Sequence, residues 1–193
     1  MKIKDVVKKT AVLLDREDVA FFIDNGYADQ NDSVKRDVAA FVTAVNFVIN
    51  ELATEYIPAL KTERVTAVSG KVFFSALRYA VTEINKVEDE NGNEVNFKVF
   101  PEYLSVEGDT VYVSYVAQPS FSDLDEQVVY EESALPLYVI AYGAAAEICM
   151  IQGRFDEAKE WKEKFEKGVS AIVKPASTLS KLKNVVIKGR MFY

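Results

Sequence analysis

The chain has 193 residues, 49% of them hydrophobic, a formal net charge of −7 and no histidine. That length and apolar share suit one large domain, or a small one carrying an insertion, and exclude wholesale disorder. Without imidazole there is no Ser–His or Cys–His pair and no His-containing metal site. The acidic balance argues against a chain that neutralises nucleic-acid phosphates along its length. A lone cysteine, Cys149, excludes an intramolecular disulfide and reads as a small core residue, as expected in a reducing compartment. The first fifteen residues, MKIKDVVKKTAVLLD, lack the unbroken apolar segment of a signal peptide.

Residues 2–14 predict a short amphipathic helix with Ile3, Val6, Val7, Thr10, Leu13 and Leu14 on one side. Asp15 is positioned to cap a second helix from Arg16 to Asp24, followed by Asn25-Gly26 and a polar loop. Asp32 or Ser33 then caps a long helix in which Val34, Val38, Phe41, Val42, Val45, Val48, Ile49 and Leu52 recur at helical spacing. It runs to about Tyr56 and stops before Pro58.

From Leu60 to Pro119 the period changes to short β-prone runs. Residues 64–68 and 71–76 flank Ser69-Gly70, 80–87 and 94–100 flank Asn91-Gly92, and 103–106 and 110–116 flank Glu107-Gly108-Asp109. This predicts six strands in three hairpin-like pairs, forming a small antiparallel sandwich or barrel. The acidic turns lack the ligand spacing of a calcium loop, and no metal or cofactor is expected. Residues 120–133 form an acidic connection with five acids and no base.

The most apolar run, Pro136 to Gly153, carries one charge, Glu147, and its Gly143 and Ala144 to Ala146 form a small-residue stripe. It is short for a membrane span of roughly 20 apolar residues, so it predicts a buried core helix against which other backbones approach closely. A second amphipathic helix follows, with Phe155, Ala158, Trp161, Phe165, Val169 and Ile172 on one face, making an αα-hairpin. Pro175 is expected to end it. The remaining segment carries Lys181, Lys183, Lys188 and Arg190 and no acid, an apolar patch from Val185 to Ile187, and a Met191-Phe192-Tyr193 terminus. An extended tail of this kind suits docking on another chain.

The fold class expected is therefore α+β. A helical bundle (1–57 and 134–174) would carry an inserted antiparallel β sandwich or barrel (58–119), an acidic linker (120–133) and an extended basic tail (175–193). This order resembles the head–tail connector proteins (adaptor or neck ring) of tailed bacteriophages. The stretches that carry the likeness are the long helix closing in AxEYIPA at Ala53–Ala59 and the strand VYVSYVAQP at 111–119 leading through an acidic loop into a Pro-started helix. GRFDEAKEWKEKFEKGV at 153–169 and the closing KGRMFY add to it.

The resemblance implies a non-enzymatic virion protein at the head–tail junction, made in the host cytoplasm. It would form a homo-oligomeric ring, commonly twelve-fold, that contacts the portal and other neck or tail proteins. It also implies that genomic DNA passes through the lumen without sequence-specific binding, and it implies no membrane. Lys181, Lys183, Val185, Ile187, Lys188, Arg190, Met191, Phe192 and Tyr193 would dock on the portal. Asp123, Asp125 and Glu126 would face a subunit or the lumen, where negative charge keeps DNA from sticking.

Three other readings compete. A tail-tube or gatekeeper protein would differ in symmetry and contacts. A β-rich module could stack a glycan on Tyr103, Tyr112 and Tyr115. A carboxylate glycan hydrolase would need two carboxyls about 5–10 Å apart in an aromatic cleft, for which Glu102 and Glu147 have no supporting context.

Overall fold

The computed structural model describes residues 1–26, 31–121, 123–132 and 134–188, the side chains of 174–188 excepted. These form a mixed α+β chain with five α-helices and two small antiparallel sheets. The chain divides into two compact units, Met1–Ile49 with Phe121–Tyr193, and Asn50–Ser120. The β segment is thus an insertion between two halves of a helical unit.

In the helical unit, α1 (Ile3–Leu13) buries Ile3, Val6, Val7 and Thr10, the face its periodicity predicts. The Lys2 amide donates to the Asp5 carboxylate at 2.7 Å, satisfying a backbone donor at the helix start. Asp15 does not cap the next helix. It takes a left-handed backbone (φ 55), and the Arg16 amide reaches the Ala11 carbonyl at 2.9 Å, so Asp15 closes α1. A short polar side chain tolerates that region better than a bulky one. The Arg16 guanidinium binds Asp18 at 2.7 Å, at the start of α2 (Glu17–Asp24), and Asp37 of α3 (Asp32–Glu51) at 2.5 Å.

The cap of α3 is Asn31, one residue ahead of expectation, whose Oδ1 accepts the Ser33 amide at 2.9 Å. Val34, Val38, Phe41, Val45, Val48 and Ile49 are buried. Residues Asp32–Tyr56 are long and apolar enough to cross a membrane by length and composition. Their buried stripe gives the simpler account, that of a core helix.

The apolar run forms α4 (Leu137–Ile151), with Pro136 as its N-cap and Gly153 at φ +74 just beyond its end. It packs against α1 and against α5 (Phe155–Lys188). Two glycines make the approach possible. A Cβ on Gly143 would lie 2.7 Å from Val48 Cγ1 and 3.0 Å from a Phe165 ring carbon, and one on Gly168 would lie 2.9 Å from Val139 Cγ2. The small-residue stripe therefore does what was expected of it. Two expectations for α5 are corrected. Phe155 is 64% exposed, because α4 stops at Ile151 and leaves the first turn of α5 uncovered. The helical backbone also continues through Pro175 to Lys188, so no extended tail begins at residue 175. Proline's fixed φ is compatible with a helix. Its cost, about 3 kcal/mol, falls on a segment already anchored to α4 through Phe165 and Val169.

The inserted unit contains β1 (Leu60–Thr66), β2 (Lys71–Phe73), β3 (Ala80–Glu88), β4 (Phe97–Val99), β5 (Tyr103–Val106) and β6 (Thr110–Gln118). Six strands were expected, but not this pairing. One sheet has the order β1-β6-β3 and the other β2-β5-β4, all neighbours antiparallel. The three turns read from sequence are real, yet each carries the chain from one sheet to the other. Ser69 and Gly70 (φ 52 and 69) make a two-residue turn closed by reciprocal Val68–Lys71 bonds of 2.8 and 3.1 Å, and pairing stops there. The one hairpin within a sheet, β4–β5, turns at Pro101-Glu102, with Phe100 donating to the Tyr103 carbonyl at 2.9 Å. β6 is the central strand of its sheet. Val111, Val113, Tyr115 and Ala117 are fully buried on one face, and Ser114 on the other meets Thr62 across the ladder at 2.7 Å.

Candidate interaction surfaces

The expected docking residues fall at the end of the chain. Lys181, Lys183, Val185, Ile187 and Lys188 are on the helical backbone of α5, with side chains outside the described residues. Arg190, Met191, Phe192 and Tyr193 lie wholly outside them.

The acidic segment is tied down. Ile3 and Lys4 donate backbone amides to the carbonyls of Glu126 (3.0 Å) and Leu124 (2.8 Å), and Val128 donates to Met1 at 3.1 Å. Lys2 and Lys4 both reach Asp125 Oδ1, at 3.1 and 2.7 Å. Hydrogen bonds from Lys4 and then Lys2 hold the Asp125 carboxyl down at about 2. Asp123 Oδ1 accepts the Asp125 amide, and Glu126 Oε1 accepts the Asp123 amide, each at 2.8 Å. Asp123, Asp125 and Glu126 are therefore brought together in one turn, with two lysines set against Asp125. Nearby, Asn46 of α3 holds both backbone groups of Phe121, at 2.7 and 2.9 Å. Phe121, Val128, Val129 and Tyr130 are buried. The apolar residues scattered among the acids were the sequence signal for this anchoring.

The αα-hairpin carries an open cleft of about 460 Å³. Ala146, Met150, Phe155 and Ala158 form its apolar lining, and Glu147, Lys159, Lys162, Glu163 and Glu166 form its rim. Met150, Ile151 and Phe155 stand exposed beside one another in sequence around the Gly153 turn. On another side of the hairpin, Trp161 stacks on Tyr142 at 5.7 Å and Lys164 covers the indole at 4.0 Å. That makes Trp161 a covered packing residue. Cys149 is fully buried, and burial pushes its thiol pKa up, consistent with a core residue.

In the inserted unit the three tyrosines considered for glycan stacking do not share a surface. Tyr115 is 0% exposed and donates its hydroxyl to Glu63. Burial, and then that bond, push its pKa far above the usual phenol range. Tyr112 points to the opposite face of β6, and Tyr103 lies in the other sheet. Tyr103 instead centres a small cluster, with Phe100 stacked at 4.8 Å, Phe73 tilted at 5.8 Å and the Lys71 ammonium 4.7 Å from its ring. Glu102 and Glu147 fall in different units. Among the described residues no three His, Cys, Asp or Glu side chains gather as a metal site. No protein-family model matches the chain, and no curated protein does either.

Proposed function

We propose that this chain is a structural virion protein, a ring-forming head–tail connector that joins the portal to the tail and lets DNA pass through its lumen. The observation that carries this reading is apolar surface grouped on both units. Met150, Ile151 and Phe155 group on the helical unit, and Phe73 and Phe100 around Tyr103 on the inserted one. Grouped apolar side chains of this kind suit surfaces that other chains cover. The insertion of a β unit between two helical halves also agrees with the element order on which the resemblance rests.

In this reading the helices are the bundle of a ring subunit, and the two sheets close as the sandwich that neighbours contact. The C-terminal part of α5, with Lys181, Lys183, Val185, Ile187 and Lys188, continues into Arg190, Met191, Phe192 and Tyr193 as the portal-docking element. The subunit works at the head–tail junction of the virion after synthesis in the host cytoplasm.

The test is a pull-down of the candidate portal assembly with the full chain and with a chain ending at Lys174. Binding by the full chain and its loss on shortening is the expected result. Equal binding by both would move the docking surface to the helices or the sheets. No binding by the full chain would overturn the connector reading.

A further inference from the structure

The outer edge of α5 carries an ordered charge pattern. Phe155, Lys159, Lys162, Glu163, Glu166 and Ser170 fall on one side of the helix at spacings of three and four residues. All six are exposed or half-buried. The cleft at the hairpin continues along this edge into a second shallow one lined by Glu163, Glu166, Lys167, Ser170 and Ala171. From Lys159 to Glu166 both cations of this strip precede both anions, so this central part of the strip is antisymmetric about the midpoint between Lys162 and Glu163, with Lys167 flanking it beside Glu163.

A strip with that pattern complements itself when a second copy lies antiparallel to it. Lys159 of each chain then faces Glu166 of the other, and Lys162 faces Glu163. Four opposite-charge contacts form, of the kind that set partner and orientation between paired helices. The same alignment brings the apolar Met150 and Phe155 at one end of the strip onto Ala171 and Val173 of the other copy. Val173 is itself exposed. The competing intrahelical partner of Glu163, Lys167, stands 3.8 Å away on the surface, and an exposed pair of this kind yields at little cost.

We infer that two free chains associate through this edge as an antiparallel, two-fold dimer. The inference stands apart from the connector reading. An isologous contact closes on itself, whereas a ring requires a head-to-tail contact, so dimer and ring are different states of the subunit. From Phe155 to Ala171 the strip is only ~24 Å long, which makes a small, salt-sensitive interface.

Sedimentation velocity on the full chain tests this, at ~0.05 M and ~0.5 M salt to vary the screening length. Two variants are compared, Lys159→Glu with Lys162→Glu, and Glu163→Lys with Glu166→Lys. Wild type is expected to dimerise at low salt and dissociate at high salt. Each variant alone should self-associate more than about tenfold more weakly, since every contact becomes like-charged. An equimolar mixture of the two should dimerise, because all four contacts are again opposite. The chain carrying all four substitutions should dimerise like wild type, and circular dichroism checks that each variant is folded. A wild type that stays monomeric at low salt overturns the proposal. So does an oligomer that survives in both double variants, or a four-fold variant that folds but does not dimerise.

Discussion

Single residues decide how closely the helices of this protein meet. Gly143 is the tightest case, because any side chain there must enter space held by Val48 and Phe165. A β-branched neighbour such as Val48 has little rotamer freedom in a helix with which to yield. Gly143→Ala gains up to about 1 kcal/mol in helix propensity, but overpacking a filled core costs about 1–3 kcal/mol. The clash should win, and urea unfolding is expected to show a net loss of stability. A variant as stable as wild type would mean that α4 can move away from α3 and α5 without cost. Asn46 matters for a different reason. It satisfies both backbone groups of Phe121 and so lets a loop residue be buried without orphaned polar atoms.

At the scale of elements, the N-terminal residues and the acidic segment behave as one piece. Lys2 and Lys4 converge on Asp125 while backbone bonds from residues 3, 4 and 128 hold the strands of chain together. The carboxyl of Asp125 has a folded pKa of about 2, below its unfolded value of about 3.9. Its contribution is therefore present above the unfolded value and is lost as pH falls from there through the folded one. Between neutral pH and about pH 2, wild type should lose more stability than Asp125→Asn, and the difference should shrink at high salt. Parallel acid-denaturation curves for the two would show that the lysines contribute nothing through this carboxylate.

At the scale of the whole molecule, net charge and local charge pattern pull in opposite directions. Each chain carries −7, so in the connector reading proposed above a ring of such chains would repel itself and be helped by screening. The antiparallel dimer rests on opposite charges and is weakened by it. If the connector proposal holds, raising salt across the ~0.1 M range, where the screening length is ~10 Å, should shift the population from dimer toward larger assemblies on the portal, as read by mass photometry. A ring that dissolves together with the dimer would show that both depend on opposite-charge contacts.

Local chemistry was enough to determine much of this protein. The buried stripe of α1 and α3, the apolar helix α4 with its close-approach glycine, and the existence of six strands follow from residue period and side-chain size. Those signals act over one or two turns and need no partner to be read. Pairing of the strands was different. Asn91-Gly92 and Ser69-Gly70 each specify a tight turn, but a turn constrains only the residues beside it, and burial of β6 between β1 and β3 chose the ladder. The same limit applies to the surfaces. Phe155 belongs by spacing to the buried face of α5 and is exposed because α4 ends four residues before it. Asp125 reads as one charge in an acidic run until the fold brings Lys2 and Lys4 to it across more than a hundred residues of chain. Sequence alone determined most of the helical and strand segments, because local structure depends largely on neighbours along the chain, but it placed the end of α5 at Pro175 where the helix continues to Lys188. Which side chains are covered, paired or left for other molecules was decided by tertiary structure, because that depends on neighbours in space.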